Sequence, residues 1–99
     1  MTITIQLPSH LRTLVKNHEP VQIDVGDAVT LGGALDALER QYPVLRGTIR
    51  EHKTLKRRSL VRFFACGQDF SLEAAETPLP DPIASGAEPL LIVGAIAGG

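Results

Sequence analysis

The amino-acid sequence predicts an α+β fold, a mixed β-sheet with one main helix across one face. Three observations support this prediction. Apolar and polar residues alternate near the start of the chain and again around residue 61, as in strands with one buried face. Apolar residues at helical spacing follow Thr30. Residues 90–96 are almost all apolar, which is typical of a strand in the middle of a sheet.

Two strands are predicted in the first quarter of the chain, where apolar and polar residues alternate over 2–7 and over 21–25. Pro8 ends the first strand, and Ser9 is the expected cap of a short helical turn. Because strands that follow one another usually pair, we expect an antiparallel hairpin with a long connection.

The main helix is predicted over residues 30–42. Thr30 is a typical N-cap, and Pro43 ends the helix because the residue before a proline avoids the helical region. Gly32 and Gly33 each weaken the helix by about 1 kcal/mol relative to alanine, so close packing of another backbone is the expected reason for them. The apolar stripe of the helix consists of Leu31, Leu35, Leu38 and Tyr42.

The second half of the chain predicts a strand over 59–65, a turn at 67–69 and a proline-rich stretch with little regular structure over 78–86. The last strand follows over 90–96. The resulting order is strand, strand, helix, strand, loops, strand. This is the pattern of a β-grasp, or ubiquitin-like, roll.

The composition excludes several classes of protein. Ninety-nine residues correspond to a single domain. A net charge of −1 argues against nucleic-acid binding, one cysteine excludes an internal disulfide, and no cluster of His and Cys predicts a metal site. The apolar runs are too short to span a membrane, and the start of the chain shows no secretory signal. We therefore expect a cytoplasmic protein without a membrane partner.

The charge is spread unevenly along the chain. Residues 1–45 carry a balance of −2, residues 46–62 a balance of +6, and residues 63–99 a balance of −5. Two interpretations stay open. The basic segment is either a solvated connector or a docking patch for an acidic partner surface.

The sequence ends in two glycines, Gly98 and Gly99, directly after the predicted last strand. Glycine makes up about 7% of average sequences, so such a pair ends roughly one chain in 200 by chance. A frayed tail without function is the alternative interpretation. The position of the pair after a β-grasp pattern makes a functional tail over 95–99 the sharper hypothesis, with residues 1–99 as one domain and this tail flexible.

The chain resembles the MoaD/ThiS family of ubiquitin-like sulfur carriers over nearly its whole length. The ending IVGAIAGG is similar to the family's final strand and di-glycine tail. Cys66 stands where the family often has asparagine, and Gly94 where it often has proline. Further similar positions are Leu7-Pro8, Leu11-Arg12, Thr30-Leu31, Ala34-Leu35, Leu38, Tyr42-Pro43, Val61-Arg62-Phe63-Phe64 and Thr77-Pro78-Leu79.

This resemblance implies a carrier that is a substrate of enzymes and has no catalytic residue, bound cofactor or metal of its own. An E1-like adenylating enzyme would use ATP to adenylate the carboxylate of Gly99. Sulfur would then replace the adenylate, and the thiocarboxylate would serve a sulfur-accepting synthase subunit in molybdopterin, cysteine or other thio-metabolite biosynthesis. Gly98 and Gly99 lack Cβ atoms and fit a narrow channel. Ala95, Ile96 and Ala97 complete the tail.

A partner interface is expected on the sheet face opposite the helix. Strand alternation places Arg62 and Phe64 on that face, beside the alternate residues Leu91 and Val93 of the last strand. The alternative for Phe64 is a place in the core.

Two other residue types carry weaker hypotheses. His10, His18 and His52 are too scattered for a metal site and are expected on the surface. Cys66, at a strand end, is expected to be a small buried apolar residue, with acceptance of a persulfide as the alternative.

Two other functions stay open at this stage. A ubiquitin-like protein modifier would use the same activation of Gly99 but end in an isopeptide bond to a lysine. A β-grasp binding module would carry an inert tail, and removal of Gly98 and Gly99 would leave its function intact.

Overall fold

The computed structural model describes residues 1–27 and 29–94 of the chain. In these residues a mixed sheet of five strands has the order β2-β1-β5-β3-β4, and helices cover one face. The strands are β1 (Thr2–Gln6), β2 (Val21–Asp24), β3 (Val61–Ala65), β4 (Gln68–Asp69) and β5 (Leu90–Gly94). The helices are α1 (Ser9–Val15), α2 (Leu31–Gln41) and α3 (Asp81–Ala84), with a 3-10 helix at Pro43–Leu45.

Strand β5 lies at the centre of the sheet. It runs parallel to β1, where Ile5 pairs with Leu90, and antiparallel to β3. Strands β1 and β2 form the antiparallel hairpin predicted from the sequence, with Ile3 opposite Ile23. This topology confirms the predicted β-grasp architecture and the central place of the last strand.

The core lies between the sheet and α2. Alternation along each strand sends one set of apolar side chains to this side, and each buried side chain of this size stabilises the fold by about 1.5–3 kcal/mol. The predicted helix stripe is buried at Leu31, Leu35 and Leu38, while Tyr42 is half-buried at the C-cap. The strand residues of the core include Ile3, Ile5, Val21, Ile23, Val61, Phe63, Ala65, Leu90 and Ile92.

The start of α2 is held by one cap and one close contact. The Thr30 hydroxyl accepts a hydrogen bond from the Gly33 N–H at 3.0 Å, which confirms the predicted N-cap. The Gly32 N–H donates to the Ala75 carbonyl at 2.7 Å. A Cβ at Gly32 would lie 2.8 Å from the Ala75 Cβ, so close packing explains this glycine as expected.

The predicted cap at Ser9 is wrong. Pro8 is the N-cap of α1, and Ser9 is the first helical residue. The ring of Pro8 holds φ at −68°, and its carbonyl accepts hydrogen bonds from the N–H groups of Leu11 and Arg12. The proline that ends β1 therefore also starts the helix.

One strand boundary and two short elements differ from the sequence prediction. The third strand begins at Val61, two residues later than predicted. Of the residues predicted as a turn, Gln68 and Asp69 form the short strand β4 against β3. The proline-rich stretch contains α3, because prolines are tolerated in the first turn of a helix, where Pro82 lies.

Candidate functional site: the end of β5 and the open sheet face

The tail that carries the central hypothesis lies outside the described residues. This applies to Gly99 and Gly98 and to Ala97, Ile96 and Ala95. The candidate site can be built up to Gly94, the last residue of β5. It consists of the end of this strand and the surfaces that border it.

The end of β5 lies between α1 and β3. Gly94 pairs with Val61 across the β3–β5 ladder. On its other side, a Cβ added at Gly94 would lie 2.6 Å from Cε1 of His10. The imidazole of α1 thus packs directly against the last described residue of the strand.

The sheet face opposite α2 carries two cross-strand rows. In the first row Gln6 pairs with Leu91, Leu91 with Phe64, and Phe64 with Asp69. Directly paired residues share a face, so these four side chains form a line across four strands. The register settles the open question about Phe64, which is half-buried on this open face and not part of the core.

The second row brings Arg62 opposite Val93, one step closer to the end of β5. Phe64 and Leu91 are half-buried, and Val93 is 42% exposed. Phe64, Leu91 and Val93 together form an apolar patch, and the structure brings all four residues predicted for the interface to one face. Apolar side chains grouped on a surface are typical of a docking site.

A salt bridge forms one rim of the apolar patch. Arg62 lies 3.4 Å from the Asp69 carboxylate. Hydrogen bonds from the side chain and the backbone N–H of Ser71, together with Arg62, lower the pKa of Asp69. Asp69 thus lies at the side of the patch next to Arg62, which faces Val93 across the β3–β5 ladder.

A groove borders the end of β5 on the β1 side. The pairing of β1 with β5 stops at Gln6–Leu91, whereas β5 continues to Gly94. The groove has a volume of about 260 Å³, and Pro8 and Arg12 line it together with the end of β5. The Arg12 guanidinium donates to the His18 carbonyl at 3.4 Å, and its Nε is buried without a partner among the described residues.

The position of His10 and Arg12 beside the strand end is not evident from the sequence. The sequence predicts only that His10 lies on the surface, and the residue is indeed exposed. No local pattern reveals that α1 borders β5, because their proximity depends on the parallel pairing of β1 with a strand more than 80 residues away in sequence.

Cys66 corrects a prediction. The side chain is exposed, not buried. Cys66 and Gly67 form the two-residue turn between β3 and β4, with φ of 51° and 78°. Local desolvation and the nearby negative charge of the Glu88 carboxylate raise the pKa of Cys66. The thiol is thus not activated as a nucleophile, which argues against a persulfide-accepting role.

Arg50, in the basic segment 46–62, is buried and has a structural role. The Arg50 side chain is 7% exposed, and its guanidinium donates to both Glu39 oxygens at 3.0 Å and to Asp36 at 2.9 Å. Burial disfavours its charge, but the hydrogen bonds and charges of the two carboxylates outweigh this effect and raise the pKa of Arg50. The salt bridges of Arg50 with Asp36 and Glu39 therefore hold the basic segment against α2.

Metal-binding and membrane-spanning features are absent from the described part of the chain. Residues 1–27 and 29–94 contain no group of three His, Cys, Asp or Glu side chains that could hold a metal ion. In the same residues, the helices are too short or too polar to cross a membrane.

The fold is shared with solved structures. SAMP1 from Haloferax volcanii superposes with a TM-score of 0.76 at 20% identity, with both chains covered completely. A second structure of small archaeal modifier protein 1 from H. volcanii gives 0.74 at 18% identity, covering 96% of this chain and 98% of the other. The BexX/CysO complex of Amycolatopsis orientalis contains a chain with a TM-score of 0.73 at 21% identity, and coverage is 97% and 98%.

No protein-family model matches the sequence, and no curated protein sequence matches it. The structural likenesses confirm the fold expected from the resemblance to the MoaD/ThiS carriers, a ubiquitin-like β-grasp.

Proposed function

We propose that this protein is a sulfur carrier that works through the carboxylate of Gly99. A partner E1-like enzyme adenylates this carboxylate, and a sulfur nucleophile converts it to a thiocarboxylate. The thiocarboxylate then supplies sulfur to a biosynthetic enzyme. The protein itself is a substrate and not a catalyst.

One observation carries the proposal. The di-glycine pair Gly98-Gly99 follows the central strand of a β-grasp sheet, and that strand ends beside the apolar patch on the open sheet face. A partner that docks on the patch at Phe64 and Val93 would cover the end of β5, from which the tail continues in the sequence. The proposal holds equally if Gly99 ends the natural chain or becomes terminal after processing.

The chemistry requires activation because a carboxylate is a poor acyl electrophile. A carboxylate oxygen of Gly99 attacks the α-phosphorus of ATP and releases pyrophosphate, which gives the acyl adenylate. The sulfur of a hydrosulfide then attacks the acyl carbon. With hydrosulfide, the C–O bond to AMP breaks, AMP leaves, and one proton is lost to give the thiocarboxylate.

Glycine at the last two positions suits this sequence of steps. A side chain at residue 98 or 99 would crowd the carboxylate as it attacks ATP and the acyl carbon as sulfur attacks it. Glycine also reaches backbone conformations that other residues rarely adopt, which helps a segment thread a narrow channel.

An intact mass spectrum tests the proposal. The chain is incubated with ATP, sulfide and candidate E1-like enzymes, beside a truncated chain that lacks Gly98 and Gly99. A gain equal to the replacement of one oxygen by sulfur, seen only in the full chain, supports the carrier function. No gain, while a known carrier reacts in parallel, contradicts it and favours a binding module with an inert tail.

The pathway is tested with the acceptor. The thiocarboxylate form is offered to a molybdopterin synthase catalytic subunit with its pterin precursor, and separately to an enzyme that makes cysteine from an activated serine. We propose that one of these two classes consumes the sulfur. Loss of sulfur from the chain and its appearance in the product identify which one does so.

A second candidate is a ubiquitin-like protein modifier. It is favoured by the fold shared with small archaeal modifier protein 1, whose name describes a modifier. In this case a lysine amine, not sulfur, attacks the acyl carbon of activated Gly99. A conjugate with an isopeptide bond at Gly99, found in cell extract supplied with ATP, would support this candidate.

A further inference from the structure

A basic loop next to the end of β5 provides a docking feature separate from the apolar patch. The loop comprises residues 51–58. It carries four cations (Lys53, Lys56, Arg57 and Arg58) and one acid, Glu51.

The loop has a defined conformation. Its ends are joined by a bridge between Arg50 and Arg57. Inside the loop, the Glu51 N–H donates to the Lys56 carbonyl at 2.7 Å, and the Leu55 N–H donates to the Glu51 carbonyl at 2.9 Å. The charges are therefore presented on an ordered support, which reduces the entropic cost of binding a partner.

Most of the positive charge on the loop has no carboxylate against it. Lys53 and Lys56 are exposed and form no salt bridge within the described residues. The Arg57 guanidinium donates to the carbonyls of Ser71 at 2.9 Å and Val61 at 2.7 Å. Arg58 lies 3.6 Å from Glu51 in an exposed pair, which is a weak interaction.

Leu55 is a second, independent sign of a binding surface. Its φ is 59°, a left-handed conformation that a bulky residue rarely adopts, and its side chain is 50% exposed. Strained residues cluster at sites that bind ligands. Protein interfaces commonly have an apolar centre and a polar rim. Leu55 provides such an apolar contact, and Lys53 and Lys56 provide charges on either side of it in the sequence.

The loop borders the place where the tail begins. Arg58 and His10 line one surface cavity, of about 350 Å³, together with Val61. Val61 pairs with Gly94, and His10 packs against Gly94. A protein bound at the end of β5 would thus lie next to the C-terminal end of the basic loop.

We propose that the basic loop 51–58 docks on an acidic protein surface of the enzyme that activates the tail, with Leu55 seated in an apolar socket rimmed by carboxylates. This inference rests on the proposed function for the identity of the partner. Attraction between these surfaces accelerates encounter more than it strengthens the final complex.

A nucleic acid is the less suitable polyanion. The loop offers four cations, while the whole chain carries a net charge of −1, and residues 63–99 contain five acids and no basic residue. A long polyanion would meet this acidic surface beyond the loop, whereas a protein can place its carboxylates opposite the loop alone.

Charge reversal tests the loop in the sulfur-loading assay. The variant Lys53→Glu/Lys56→Glu is compared with Lys16→Glu/Arg40→Glu, which makes the same change in net charge at exposed residues near the C-terminal ends of α1 and α2. We expect kcat/KM of the enzyme for the loop variant to fall about tenfold or more at low salt, with kcat within about twofold. High salt should remove this difference. Equal losses in both variants would overturn the proposal.

Leu55→Asn tests the anchor, because asparagine tolerates the left-handed conformation. We expect a higher KM with no decrease in the thermal midpoint. An unchanged KM would overturn the apolar part of the proposal.

A peptide titration tests the loop without any enzyme. Hexaglutamate is added to ¹⁵N-labelled chain, and amide shifts are expected in residues 51–58 but not in the Lys53→Glu/Lys56→Glu variant. Shifts elsewhere, or tighter binding of a single-stranded oligonucleotide of equal charge, would overturn the proposal. If no enzyme loads sulfur but the peptide binds the loop, the proposed function fails while the acidic preference of the loop stands.

Discussion

Gly94 and His10 are in direct contact at the end of β5, so that a Cβ on Gly94 would lie 2.6 Å from the imidazole Cε1. His10 is exposed and can rotate away. Gly32 is crowded in a different manner, since a Cβ there would lie 2.8 Å from the Ala75 Cβ and 2.9 Å from the Ala75 carbonyl oxygen. Gly94 therefore faces a side chain that can move, whereas Gly32 faces the Cβ and the backbone of Ala75, which cannot move independently.

This difference predicts that two alanine substitutions change the stability of the fold by different amounts. Gly32→Ala should lower the free energy of unfolding by about 1–2 kcal/mol, because overpacking outweighs the gain in helix propensity. Gly94→Ala should change it by less than about 0.5 kcal/mol, the range of ordinary surface substitutions. Urea denaturation measures both, and equal effects would contradict the packing described for Gly32.

Removal of Arg50 should be strongly destabilising. Arg50→Met leaves the Glu39 carboxylate buried without its partner, which costs about 3–5 kcal/mol. The double variant Arg50→Met/Glu39→Met should recover much of this loss, because no charge then stays buried. Arg62→Gln, which breaks an exposed pair, serves as the control and should leave the urea midpoint nearly unchanged. Absence of recovery in the double variant would contradict the role assigned to this ion pair.

Cys66→Asn should stabilise the turn between β3 and β4. Two-residue hairpin turns with positive φ at both central residues favour Asn-Gly, and Cys66-Gly67 has this geometry. We expect the thermal midpoint to rise by about 2–4 °C. Cys66→Val, with a β-branched residue at a positive φ, should lower the midpoint, and the reverse order would show that the turn has another conformation.

The loss of folding stability at low pH should depend on Asp69. Its folded-state pKa is lowered from the ordinary value of 3.8 by hydrogen bonds from Ser71. A lowered pKa means that the carboxylate stabilises the fold above pH about 3.8 and that this contribution is lost as the pH falls through the folded-state pKa. Asp69→Asn should therefore be less stable than wild type at pH 6 and lose less stability on acidification. Denaturation of wild type and Asp69→Asn at pH 2 to 6, roughly the range of carboxylate titration, measures this difference. If the stability of both proteins depends on pH in the same way, the role assigned to Asp69 is contradicted.

The apolar patch should be needed for activation of the tail. Val93→Asp places a charge in the proposed interface without disturbing the core, since Val93 is 42% exposed. We expect KM for sulfur loading to rise at least about tenfold, which corresponds to about 1.4 kcal/mol of binding energy. Leu72→Asp is the matched control, because Leu72 is 87% exposed and lies outside the sheet. Similar losses in both variants would argue against a docking role for the patch.

The sequence predicts the core of this fold because the periodicities of strands and helices are local. Alternation places Phe63 in the core and Phe64 on the open face, and the four-three spacing places Leu35 and Leu38 against the sheet. Errors occur where an element depends on its surroundings. Gln68 and Asp69 have little preference for strands and form β4 only because a tight turn lays them against β3.

The same distinction applies to the candidate site. The grouping of Arg62, Phe64, Leu91 and Val93 depends on alternation in two strands, so the sequence predicts it. The contact of His10 with Gly94 and the approach of Arg58 to the end of β5 depend on non-local pairing. No spacing in the sequence contains this information. The tail, residues 95–99, is predicted from the sequence alone and lies outside the described residues.

The central claim is that sulfur is carried on the carboxylate of Gly99. The most direct measurement is a mass spectrum of the sulfur-loaded chain, followed by fragmentation of its C-terminal peptide. A sulfur carrier of this kind should show replacement of one oxygen by sulfur at Gly99 and no reaction in the chain that lacks Gly98 and Gly99. Addition of a whole sulfur atom at Cys66, or no change while a known carrier reacts in parallel, would contradict the claim.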